Sequence, residues 1–335
     1  ALGKVTVTTG CVAIQAKRDG LIIPTFKNNG GKEDYVGGAV FEPRSGRMSD
    51  IVSFDANSLY PSVMMSLNIS PETKVGKVIA DDGTNVTILT RSGTEKTTTR
   101  EKFEKWCENE KISISSYGIL YSQKKDSVVK RFLDNTYKQR KAAKDKMVAL
   151  NKIVNSIKDP LEKAKVEDEI ERLDLIQNNL KCVLNSFYGG CGNESHPFYD
   201  IDNAASTTVT GQHVIKSAAE IVKKYIQKKY SINDVEDVVI YGDTDSLYIT
   251  LNKVFDKMGV KISDGKSVNK DANAIIEDLQ DKLNEGINVW SKEKLKSIDS
   301  RFVFKRESIC DAGIFVGKKN YALHILDNEG KWINK

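Results

Sequence analysis

Two apolar ladders in the middle of the chain constrain its fold most. Val129, Phe132, Leu133, Tyr137, Ala143, Met147, Leu150, Val154 and Ile157 recur mostly at steps of three and four, the period of one helix face. Asp159-Pro160 breaks that run, and Val166, Ile170, Leu173, Ile176, Leu180, Leu184 and Phe187 then resume it. Two long helices around so tight a turn predict an antiparallel hairpin, narrow and protruding rather than globular. Charge divides along the same line. Residues 124–158 hold 11 Lys or Arg against 3 Asp or Glu, a local excess of +8 in a chain of net charge +5. Residues 159–174 reverse it, with 7 acids against 3 bases. A basic segment facing a polyanion and a solvated helix face both fit that pattern, and charge alone does not separate them.

The elements around the hairpin read as a mixed fold. The first fifty residues alternate apolar runs (5–9, 20–24) with breaks such as Asn28-Asn29-Gly30-Gly31 and Gly37-Gly38, which predicts irregular strands and loops. Residues 51–54 form a short apolar strand that ends at Asp55, and Pro61 sits where a helix carrying Val63, Met64 and Leu67 would start. Residues 74–127 are polar, with threonine alternation at 86–90, and predict a small β-rich insertion leading into a short helix near 102–108. A further helix is expected at 205–229. Two strands, 237–241 and 246–251, flank Gly242-Asp243-Thr244-Asp245 as a β-hairpin. Residues 269–296 are an amphipathic helix, and 302–305 and 313–315 return to strand. That order predicts an α+β fold, an antiparallel sheet with helices on one face.

Composition excludes several classes. No apolar run approaches the roughly 20 residues that span a bilayer, and no basic-then-apolar leader opens the chain, so no membrane partner and a cytoplasmic location are expected. The five cysteines are scattered with no CxxC pair, which argues against disulfides and a zinc knuckle. Ala1 in place of Met points to a processed or excised segment.

The chemistry concentrates in three places. Tyr241-Gly242-Asp243-Thr244-Asp245-Ser246 puts two carboxylates two residues apart, a costly arrangement unless a cation lies between them. Hard oxygen ligands suit Mg²⁺, whereas a plain hairpin turn would use the same residues. Asp55, at a strand end before Asn57-Ser58-Leu59-Tyr60-Pro61, could share two metals with Asp243 and Asp245, or serve only as a helix N-cap. Two such ions about 3.5–4 Å apart stabilise both oxygens of an in-line phosphoryl displacement. Lys181, Asn185 and Tyr188 fall on one helix face, and Arg140 and Lys144 (i, i+4) could add cations from the facing helix; together they could clamp a triphosphate.

These segments resemble the motifs of family B DNA polymerases, in chain order: D-x-x-S-L-Y-P at 55–61, K-x-x-x-N-S-x-Y-G at 181–189 and Y-G-D-T-D-S at 241–246. Tyr35-Val36-Gly37-Gly38 resembles a Y-x-G-G element, and Lys318-Lys319-Asn320-Tyr321 a K-K-x-Y element. The run Asn68-Ile69-Ser70-Pro71-Glu72-Thr73 and Gly317-Lys318-Lys319 are closest to the phage replicative branch. The resemblance covers residues 35 to 325, except 74–127. It implies an N-terminal segment (1–50) with a template-contact loop, a palm (51–73 and 191–335) interrupted by the 74–127 insertion, and hairpin fingers (128–190).

By the same resemblance Asp55 and Asp243 would ligate two Mg²⁺ ions, with Mn²⁺ able to substitute; Asp245 would be a supporting acid, and Glu307 would approach the second metal. Ser58, Leu59 and Tyr60 would border the nucleotide, Tyr60 stacking under the sugar to exclude a 2′-hydroxyl. Arg140, Lys144 and Lys181 would hold the β- and γ-phosphates of a dNTP, and Asn185 and Tyr188 would line the base-pair pocket. Tyr35, Gly37, Gly38, Tyr241, Lys318, Lys319 and Tyr321 would contact DNA primer-template.

Family members usually carry an exonuclease before the first motif and a thumb after K-K-x-Y. With 54 residues before Asp55 and 14 after Tyr321, the sequence reads as a split or trimmed polymerase, with weak, salt-sensitive DNA binding unless a second polypeptide supplies thumb, exonuclease or a route to a sliding clamp. Two rival expectations are a non-catalytic polymerase-fold scaffold and an RNA-synthesising palm enzyme. The three intact carboxylates weigh against the first, and Tyr60 with the Lys-Asn-Tyr face against the second.

Overall fold

A computed structural model describes residues 4–23, 37 and 41–333. In chain order the elements are α1 (Lys4–Arg18), β1 (Gly46–Ala56), α2 (Leu59–Leu67), β2 (Lys74–Asp81), β3 (Asn85–Thr90), β4 (Glu95–Thr99), α3 (Arg100–Glu110), β5 (Ile112–Ile114) and β6 (Ile119–Ser122). There follow α4 (Val128–Ile153), α5 (Pro160–Cys191), α6 (Ile201–Tyr230), β7 (Val239–Asp243), β8 (Ser246–Thr250), α7 (Asn252–Met258), α8 (Lys270–Leu295), β9 (Phe304–Gly317), β10 (Asn320–Asn328) and β11 (Lys331–Trp332). The result is the expected α+β class, built on two antiparallel sheets.

β1 sits inside the larger sheet, of order β11-β10-β9-β1-β8-β7. Its side chains sort by face. Val52 and Phe54 join the main core with Val214, Ile215 and Val222 of α6 and Ile276, Leu279 and Leu283 of α8. Ile51 joins a smaller cluster with Ile240, Tyr241, Tyr248, Cys310 and Phe315. Residues 74–122 form the second sheet, β4-β3-β2-β6-β5, with α3 contributing Phe103 and Cys107 to a core of its own.

The helix hairpin is rooted in the core and free at its tip. Asp159 caps α5 by accepting the Leu161 N–H at 2.9 Å, and Pro160 occupies the first turn, where its missing N–H costs nothing. The buried residues of α4 end at Ala143, and further out the two helices are tied to each other, as by the Lys146–Glu169 ion pair at 2.7 Å. At the root, Asn68 has left-handed backbone (φ 58) and its side chain accepts the Ser127 N–H at 2.8 Å. Glu72 accepts the Val128 N–H at 2.8 Å, so the turn after α2 fixes where the hairpin begins.

One early reading is corrected. Residues 5–9 alternate like a strand, yet they belong to α1. Thr8, Val12 and Ala16 are buried along one stripe that packs on α4 and α5, and that four-residue spacing outweighs the β-branched composition. β10, β11 and α7 had no counterpart in the sequence reading.

Candidate active site

The end of β1 and the β7–β8 turn are held together by backbone bonds. Asp55 pairs with Ser246 on one side and Lys305 on the other. The two-residue turn uses Thr244 in left-handed conformation (φ 54), and the Ala56 N–H donates to the Asp245 carbonyl at 2.8 Å. Gly242 lets Phe41 pack close, because a Cβ at that position would lie 2.9 Å from the Phe41 ring and force it to shift.

Asp55, Asp245 and Glu307 border one cleft of about 620 Å³. Arg140 and Lys144 of α4 and Lys181 and Asn185 of α5 line the same cleft. Burial, then the nearby Asp245 and Glu307, pushes the Asp55 carboxyl up to about 7, with Lys181 opposing. Asp245 is raised as well, by burial and then by Asp243 and Glu307. Burial, more than the neighbouring acids, is what makes these two carboxylates costly to ionise. Of the cations on the wall, Lys144 pairs with Glu329, while among the described residues neither Lys181 nor Arg140 has a salt-bridge partner and the buried Arg140 Nε has no acceptor.

Asp243 has a different setting. It does not line the cleft; its Oδ1 lies 3.5 Å from Lys319 Nζ and accepts from Thr244 Oγ1 at 3.1 Å. The family resemblance makes Asp243 the metal ligand and Asp245 its support, while in the structure Asp245 and Asp55 line the cleft together. Among the described residues no three His, Cys, Asp or Glu side chains form a group that could hold a metal ion. Paired carboxylates that repel each other still fit Mg²⁺, which takes one or two carboxylates and completes its shell with water and phosphate oxygens.

The other predicted residues separate into cleft, core and rim. Ser58 lines the cleft with left-handed backbone (φ 50), whereas Leu59 is 3% exposed and lies in the core. The Tyr60 and Tyr188 rings meet with centroids 4.3 Å apart. Tyr241 is buried, and its Oη accepts the Lys319 N–H at 2.9 Å within a cluster of Tyr248, Phe315 and Tyr321. Lys318 pairs with Glu42, and the Tyr321 and Tyr248 hydroxyls are 3.0 Å apart. The Gly37 carbonyl accepts from Gln212 Nε2 at 2.6 Å; Tyr35 and Gly38 lie outside the described residues. Sequence reasoning missed Gln280, Arg306 and Glu329, which also line the cleft. The signal available for Glu329 was the Asn-Glu-Gly turn in which it stands.

Residues 3–276 match the family model of DNA polymerase family B. The chain belongs to that family. Similar family B relatives include the DNA-directed DNA polymerase of Escherichia phage RB69, 26% identical over 89% of this chain and 36% of the relative. That of Enterobacteria phage T4 is 28% identical over 90% of this chain and 37% of the relative. The DNA polymerase of Pyrococcus glycovorans is 30% identical over 91% of this chain and 29% of the relative. The family B chain described here thus spans about a third of the length of these relatives. No described helix is long and apolar enough to cross a membrane.

Proposed function

We propose that the cleft carries out template-directed DNA synthesis, transferring a nucleotidyl group from a dNTP to a primer 3′-hydroxyl. The observation that carries this reading is the convergence of Asp55 and Asp245 with Arg140, Lys144 and Lys181 on one cleft. In this reading residues 51–73 and 191–335 are the palm, 74–127 an insertion, and 128–190 the fingers.

Asp55 and Asp245, with Glu307 nearby, would hold two Mg²⁺ ions, which supply Lewis acidity to the attacking and leaving oxygens. The chain's own groups do the rest. Arg140, Lys144 and Lys181 bind the triphosphate and neutralise charge as pyrophosphate leaves, which is where preorganised cations lower a phosphoryl-transfer barrier most. Asn185 borders the nascent base pair. Tyr60, backed by Tyr188, packs under the sugar. Lys318, Lys319 and Tyr321 hold the primer backbone, and the loop at Gly37 the template. Asp243 orients Lys319 instead of ligating metal. Rotation of the hairpin towards the sheet would close the cleft over a matched pair and expel water.

Primer extension with Mg²⁺ and dNTPs tests this, using the chain alone and with candidate partner chains. Template-directed extension that disappears in Asp55→Ala is expected. Absence of extension under every condition would support the scaffold reading instead.

A further inference from the structure

Glu329 belongs to none of the five motifs, yet its carboxylate faces the cleft from the β10–β11 hairpin. The pairing of Asn328 with Lys331 leaves Glu329-Gly330 as a two-residue loop, and both residues have positive φ (50 and 87). Such a turn favours Asn, Asp or Gly at its first position, because a longer side chain is strained in left-handed backbone. Strain of this kind persists only when the surroundings over-determine it. They do so here. The Glu329 N–H donates to the Glu307 carbonyl at 2.7 Å. The buried Asp327 carboxylate accepts the Gly330 N–H at 2.9 Å and is paired with Arg306. The turn is thus fixed to β9 beside Glu307, and the side chain it presents reaches Lys144 of α4, Nζ to Oε2 3.8 Å.

We propose that Glu329 is a positioning residue: it holds Lys144, and with it the helix hairpin, across the nucleotide-free cleft, and yields that lysine to the incoming triphosphate. The inference rests on the reading of the cleft as a nucleotide site. Its energetics suit a reversible contact. The two side chains are 47% and 68% exposed, so the pair is weak, and a polyanion with several negative charges outcompetes one carboxylate. A buried, fully desolvated pair could not be exchanged so readily. Glu329 also adds to the negative charge around Asp55, so its presence disfavours a second anion in the cleft until divalent cations enter.

Two measurements on the same variants test the proposal. Spin labels at the exposed positions 141 and 331 report the separation of α4 from the β10–β11 turn without nucleotide. Glu329→Gln and Lys144→Met should broaden that distance distribution alike, with no further change in the double variant. An unchanged distribution would overturn the proposal. Titration with dATP and Mg²⁺ at low salt should show Glu329→Gln binding about two- to fivefold tighter than wild type, an effect absent in the Lys144→Met background. Weaker binding by Glu329→Gln, or equal tightening without Lys144, would also overturn it. Failure of the wild type to bind dATP would count against the nucleotide site itself, and the label distances would still decide whether Glu329 holds the hairpin.

Discussion

Lys319 is clipped to the β7–β8 hairpin twice, by its ammonium 3.5 Å from Asp243 Oδ1 and by its backbone N–H, donated to Tyr241 Oη at 2.9 Å. The second contact is the stronger anchor, because Tyr241 is buried whereas the Lys319 side chain is 68% exposed. Tyr241→Phe removes that anchor without changing the packed ring. It should cost about 1 kcal/mol of stability by chemical denaturation, the usual worth of a buried hydrogen bond. Primer-template affinity, followed by fluorescence anisotropy, should fall by about two- to fivefold as the Lys319 turn loosens.

Tyr60 rests on α6 as well as on Tyr188. A Cβ at Gly211 would lie 3.1 Å from Tyr60 Cε1 and 3.4 Å from Leu59 Cδ2. Gly211→Ala should displace the Tyr60 ring by a few tenths of an ångström and raise the KM for dNTPs more than it lowers kcat. Tyr60→Ala should instead relax discrimination against ribonucleotides. Equal KM values for Gly211→Ala and wild type would show that α6 does not set the ring's position.

Metal-free, the floor of the cleft is an electrostatic liability. Asp55→Asn removes one of several crowded carboxylates and should raise stability without metal by about 1–3 kcal/mol at pH 8, a shift of a few degrees in Tm. Mg²⁺ should raise the Tm of the wild type but not that of the variant. A variant less stable than wild type in EDTA would contradict this account of the charge balance.

His196 makes the root of the hairpin acid-sensitive. It is 2% exposed against Gly190 and Phe187, its Nδ1 accepts the Phe198 N–H at 3.2 Å, and burial pushes its pKa down to about 4. The unfolded chain takes up this proton near pH 6.5 while the folded chain resists until about pH 4. Stability should therefore be intact above about pH 6.5 and fall as pH drops towards 4, by up to about 3 kcal/mol from this group. His196→Asn keeps an acceptor for Phe198 and removes the titration, so its denaturation midpoint should depend less on pH across that window.

What the sequence made legible follows from which interactions are local. The 3.6-residue period and Asp159-Pro160 announced the helix hairpin, because a helix face and its caps are written within a few turns of chain. The hairpin at 241–246 was readable for the same reason. Residues 5–9 alternate like a strand yet are helical, because α1 packs on α4 and α5, which begin about 120 residues further along the chain. Spacing alone would point Asp243 and Asp245 to the same side of a strand, though a tight turn can re-aim them. It could not reveal the left-handed Thr244, nor the Ala56 bond that draws Asp245 to Asp55 and leaves Asp243 to Lys319. Leu59 and Tyr241 stand within motifs but face inward, a matter of which side of each element meets the core. Glu329 reaches Lys144 across 185 positions, and no local pattern encodes that contact.

In the proposed mechanism Asp55 and Asp245, rather than Asp243, form the metal-holding pair of the nucleotide site. Mn²⁺ titration followed by electron paramagnetic resonance, with saturating dATP, tests it without requiring turnover. The wild type should bind two ions, and Asp55→Ala and Asp245→Ala should each weaken binding by roughly tenfold or more, while Asp243→Ala stays close to wild type. Loss of Mn²⁺ binding in Asp243→Ala with retention in Asp245→Ala would contradict the account.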